Sequence, residues 1–175
     1  LEYIDNKFNP NLKFIYPFLN QRNLGLWLSN RDLRDPWQEG NNIVNLSSFL
    51  IYLKKSEPSK TKLINDRIQQ ILNWHYYNQN SSTGFWGVDQ FLNKKKLEQA
   101  FAGSMHNYHL WYFFDIQIPY HEKAIDYVLS KEPKIRSACL DVDCVDLLCH
   151  GYNLLHYKKK IIIEWLEILF INIIN

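Results

Sequence analysis

A chain of 175 residues has the length of one domain, and 46% hydrophobic with 22% charged residues is the composition of a folded globular protein, which excludes a disordered or fibrous chain. Lys plus Arg number 20 against 18 Asp plus Glu, and the formal net charge of +2 supplies no field for nucleic acid or anionic lipid. The 3 cysteines, Cys139, Cys144 and Cys149, cannot form a complete disulfide framework and fit a reducing, cytoplasmic compartment.

The chain opens at Leu1 with no charged segment, apolar run and small-residue cleavage site, so no secretory leader is read, and the native start is expected upstream. Aromatic residues make up 15%, more than a core of this size needs, which suggests a ring-lined cavity. Lys outnumbers Arg and Asn and Ile are frequent, a composition typical of AT-rich coding sequence.

In chain order, residues 11–20 read as helical, with Pro17 ending or kinking the segment. Residues 43–55 carry Ile43, Leu46, Leu50 and Leu53 at steps of three and four, the face of a helix. Ser59 is placed to cap a second helix, in which Ile64, Ile68, Ile71, Leu72 and His75 form the apolar stripe and Asp66 to Gln70 the polar side. Residues 78–87 are rich in Asn, Ser, Thr and Gly and read as a loop.

A third helix over residues 96–114 would bury Leu97, Phe101, Met105, Tyr108 and Tyr112, with Ala100, Ala102, Gly103 and Ser104 permitting close packing. Pro119 suits a first helical turn, so residues 119–130 read as a short helix burying Ile125, Val128 and Leu129. Residues 139–157 place Leu140, Cys144, Leu147, Leu148, Gly151, Leu154 and Leu155 on one face. Sustained strand alternation is missing, and the fold class is all-α.

One domain is expected over residues 1–157. At 158–175 the character changes: three Lys, three Ile, then an apolar stretch interrupted by Glu164 and Glu167, too short to span a bilayer. That tail is either a buried final helix or the product of a slipped reading frame.

The chain also repeats itself. Gln21, Gly25, Leu26 and Trp27 match Gln79, Gly84, Phe85 and Trp86, the two Trp lie 59 residues apart, and Glu39 and Glu98 each follow their Trp by 12. Each unit reads as loop, helix, turn, helix, in which Gly lets the loop turn, Trp plugs a gap between helix ends and Gln ties the preceding helix to the loop. Such units stabilise one another by stacking.

Gln, then Gly and Trp, in a helical chain resembles the QW repeat of terpenoid cyclases and the related protein prenyltransferases. The resemblance spans most of residues 10–157 and implies stacked helical hairpins in an α/α toroid. This chain supplies fewer helices than a closed ring needs, so it implies an arc, an incomplete ring that a second chain or another copy would close. The run Asp141, Val142, Asp143, Cys144 is similar to the DxDD signature of class II cyclases, which implies Asp143 as a proton-donating acid and Asp141 as the neighbour that holds its proton. The fourth position departs from that pattern, since Cys144 stands where an Asp is expected. Carboxylates crowded in an apolar pocket do keep one member protonated near neutral pH.

Cys139, Asp143, Asp146 and His150 share one flank of a helix, but ligands from one straight helix cannot surround a metal, and no metal or cofactor is expected. His106, His109, Trp111, Tyr112 and Trp86 are the ring residues suited to contact an apolar or carbohydrate small molecule. Three functions are open: a toroid arc inactive by itself, a non-catalytic helical-repeat interaction module, or a carbohydrate-acting α/α barrel using Glu98, His106 and His109.

Overall fold

A computed structural model describes residues 12–87 and 93–174; Leu1, the first position of the 11–20 segment and Asn175 lie outside them. A 3₁₀ helix, Lys13–Leu19, leads into α1 (Gln21–Ser29), α2 (Pro36–Ser56), a 3₁₀ turn (Pro58–Lys60), α3 (Thr61–Asn78), α4 (Lys94–Phe113), α5 (His121–Leu129), α6 (Ala138–Leu154) and α7 (Lys159–Ile174). Among the described residues there is no strand, and the fold is all-α.

The expected apolar stripes are the core. Ile43, Leu46, Leu50 and Leu53 of α2, Ile64 to His75 of α3, and Leu97, Phe101, Met105 and Tyr108 of α4 are buried in their periodic positions. Burying these branched side chains removes the apolar surface whose exposure to water disfavours the unfolded chain. Tyr112 and Leu140 are only partly buried against that core, and Leu154, at the end of α6, is exposed.

Several boundaries differ from the sequence expectation. Pro17 sits inside a short 3₁₀ helix and forgoes one of its i→i−3 hydrogen bonds, so the segment is not an α-helix broken at the proline. The first Gln-Gly-Trp copy is not a loop: residues 21–29 are helical, because the Asn20 side chain accepts the N–H groups of Arg22 and Asn23 and caps the helix. Helix α2 starts at Pro36, with the Asp35 side chain as its cap, so Glu39 lies in the first turn and not ahead of the helix. Ser59 belongs to the 3₁₀ turn and does not cap α3. Pro119 precedes α5, which begins after Tyr120 in the left-handed region at φ 52.

Helices α2 and α3, α5 and α6, and α6 and α7 pack as chain neighbours, and several alternate helices pack as well. In one row α2 packs on α4 and α4 on α6; α1 with α3 and α5 with α7 form separate pairs. The α2–α4 crossing is the closest, because a Cβ on Gly40 would overlap the carbonyl of Gly103, and one on Gly103 would overlap the carbonyl of Pro36. The small residues of α4 therefore serve backbone contact. Helix α7 docks through Ile162, Trp165 and Leu169, and the Trp165 indole donates to the Lys131 carbonyl at 2.9 Å.

Candidate functional site

The second Gln-Gly-Trp copy forms a clasp. Gln79 Nε2 donates to the carbonyls of Gly84 (2.7 Å) and Pro119 (2.8 Å), so the end of α3 is tied to its own loop and to the approach of α5. Gly84 is required there: its φ is +78 and a Cβ would press on the Tyr120 carbonyl. Trp86 donates its indole N–H to the His75 carbonyl at 2.8 Å, while its backbone N–H reaches the Ser104 hydroxyl on α4 at 3.0 Å. The Tyr108 hydroxyl adds a hydrogen bond to the Gly84 carbonyl.

The first copy does nothing comparable. Gln21 is exposed and contributes only its carbonyl, which accepts from Gln70 Nε2 at 3.0 Å. Trp27 instead lies under the Arg31 guanidinium, 4.0 Å from the ring centre, and Arg31 pairs with Glu39 at 2.9 Å. Glu39 also accepts the Asp32 N–H, so it pins the α1–α2 connection.

Of the ring residues expected at a ligand, Trp86 and Trp111 are core residues, 1% and 5% exposed, packed around His75. Burial pushes the His75 imidazole down to about 3. His109 and Tyr112 do gather with α6, whereas His106 faces Trp37 of α2. His106 meets the Trp37 ring edge-on, and burial, then the neighbouring His109, lowers its pKa. The His109 Nε2 and the His150 Nε2 each lie 3.5 Å from a different oxygen of Asp146, so one carboxylate sits between imidazoles from α4 and α6. The His109 hydrogen bond, ahead of the charge of either imidazole, holds the Asp146 carboxyl below its usual range.

His150 stacks flat on Tyr112, with centroids 3.6 Å apart and planes 7° from parallel. The Tyr112 oxygen is 3.2 Å from His121 Nε2, and burial followed by the His150 charge lowers His121 to about 4. His121 is therefore neutral at pH 7 and shares a hydrogen bond with the Tyr112 hydroxyl through Nε2. Sequence spacing placed Asp146 and His150 on one flank of α6, but which residues face them depends on the α4–α6 packing, and His121 arrives from a third helix.

Asp143 stands on α6 beside this cluster. Burial, reinforced by the Asp146 charge and opposed by His109, raises its carboxyl to about 6. Asp141 does not hold its proton: both Asp141 oxygens accept the Arg136 backbone N–H at 3.1 and 3.2 Å, closing the turn into α6. Cys144 is buried in the core, and desolvation pushes its thiol up to about 12, so it cannot replace a carboxylate as proton partner.

An open hollow of about 450 Å³ lined by residues 117–123 and Leu155 reaches His121 and not Asp143. Glu98 is 11 residues from His109 on one helix, about 16 Å along its axis, so Glu98, His106 and His109 do not converge on one bond. Among the described residues no group of three or more His, Cys, Asp or Glu is arranged to hold a metal ion.

No family model, curated protein or solved structure matches the chain. The site stands on its own geometry: hydrogen-bonded polar rings in which burial holds Tyr112 protonated and His121 neutral, and a raised carboxyl at Asp143, half open to solvent.

Among the described residues no helix is long and apolar enough to cross a membrane.

Proposed function

We propose that this chain is an arc of an α/α toroid, related to terpenoid cyclases and protein prenyltransferases, that works as a helical interaction module and has no catalytic activity alone. The observation that carries this reading is the continuous row of α2 on α4 on α6, flanked by the separate pairs α1 with α3 and α5 with α7, an arrangement that suits the start of an inner helix layer. The clasp made by Gln79, Gly84 and Trp86 supports it, because a helix-end staple is what a stacked repeat uses.

The polar site argues for inactivity in this form. A carboxyl raised only to about 6 is mostly ionised at pH 7 and is a poor acid toward an alkene. Closing the ring with another chain would remove solvent from Asp143 and raise it further. Incubation of the chain with a linear polyprenyl substrate tests the reading. No product is expected; turnover that Asp143→Asn abolishes would contradict it.

A further inference from the structure

Arg67, on α3, is only 8% exposed, and its Nε and Nη1 have no hydrogen-bond partner among the described residues. A guanidinium carries a full positive charge, and a charge taken out of water is costly unless an opposite charge meets it.

The elements around Arg67 supply no such charge. Gln70, one turn further along α3, donates to the Gln21 carbonyl, and Gly25 lies against the same side chain. Ser29 and Asn78 line one hollow further on, so α1 runs beside α3 in the same direction. Arg67, a helical neighbour of Gln70, therefore lies on the α1 side of α3, toward the junction of the 3₁₀ helix with α1. Residues 12–31, which hold both of those elements, contain no Asp or Glu. On α2, Glu39 is paired with Arg31, and Glu57 at its end is paired with Lys60. Asp66, next to Arg67 in the chain, is exposed and turned away around the helix.

The same place opens to solvent. Nη2 is not among the enclosed atoms of Arg67, and Gln70 lines an open hollow of about 510 Å³ with Asn20, Gln21 and Arg22 at the start of α1. Arg22 is exposed at that hollow and has no acid partner among the described residues.

We propose that Arg67 and Arg22 are the inner and outer cations of a site for a small oxyanion, a carboxylate or phosphate group. The planar fork of a guanidinium matches the paired oxygens of such a group. One cation stands on α3 and the other on α1, so the bound anion ties these two helices together. This site is separate from the polar cluster of α4 and α6 and does not depend on the toroid reading.

Urea unfolding of the full chain in zwitterionic buffer tests it, with sodium phosphate or sodium acetate set against sodium chloride at equal ionic strength. Phosphate or acetate is expected to raise the wild-type midpoint saturably in the millimolar range. Arg67→Met, which keeps the length and removes the charge, is expected to weaken that response at least tenfold. In chloride the variant is expected to unfold at a higher midpoint than wild type, because it buries no unpaired charge. Equal wild-type midpoints in the three salts overturn the proposal, and so does a rise that Arg67→Met shares, which is the general effect of excluded salts. A lower chloride midpoint for Arg67→Met overturns it too, since the guanidinium would then be satisfied within the fold. So does a response that appears only after Glu2→Gln and Asp5→Asn, ahead of the described residues, because a carboxylate of the chain itself would then be the occupant.

Discussion

Trp111 donates its indole N–H to His75 Nδ1 at 3.3 Å, and the other ring nitrogen of His75 faces Asn107 Oδ1 at 3.2 Å, so the buried imidazole is held neutral with its proton on Nε2. A second proton would have to sit against the Trp111 donor. In the unfolded chain this His titrates near 6.5, and in the fold near 3; His121 falls from 6.5 to about 4. Between those values the unfolded state binds more protons, so stability is complete above pH 6.5 and is lost as pH falls. Each group contributes up to about 1.4 kcal/mol per pH unit in that window. Chemical denaturation from pH 7.5 to 4.5 should show this decline, and His121→Gln should make it shallower.

Asp143 has the opposite sign. Its carboxyl is raised from 3.8 to about 6, so the charged form is disfavoured in the fold, and stability falls as pH rises from 3.8 and is fully reduced above about 6. Asp143→Asn should stabilise the protein at pH 8 by about 1 kcal/mol, after discounting for its partial exposure, and change little at pH 4. Equal effects at both pH values would show that the carboxyl is not strained in the fold.

The two Gln-Gly-Trp copies should respond differently to the same change. Gln79→Ala leaves the carbonyls of Gly84 and Pro119 without this donor and should cost about 2 kcal/mol. Gln21 is exposed and its side chain holds nothing comparable, so Gln21→Ala should stay within about 0.5 kcal/mol of wild type. Urea midpoints for the pair measure this directly.

At the α2–α4 crossing, Gly40→Ala or Gly103→Ala should cost about 2–3 kcal/mol, because each added methyl meets a backbone carbonyl that cannot move away as a side-chain end would. Gly25→Ala is the comparison: its methyl would meet only the flexible end of Gln70, 3.2 Å away. Thermal melts of the three variants should separate it from the other two.

Helical periodicity made the core legible, since Ile43 to Leu53 and Ile64 to His75 repeat at the spacing that burial demands. What failed was local competition at helix ends. Asn20, within a polar stretch, turned Gln21 to Ser29 into a helix, and Tyr120 in the left-handed region delayed α5 past Pro119. The clasp at Gln79 and Trp86 was legible as a motif, but the motif could not show that only one of its two copies clasps. The polar cluster was half legible: His109, Tyr112, Asp143, Asp146 and His150 stood out in sequence, while the stacking of Tyr112 on His150 and the arrival of His121 needed three helices packed together. Trp86 and Trp111 look like ligand rings by composition, and burial makes them core.

The central claim is that the chain has no catalytic activity alone, and incubation with a linear polyprenyl substrate, for the wild type and for Asp143→Asn, tests it most directly. No product is expected from either form. Turnover by the wild type that Asp143→Asn abolishes would contradict the account.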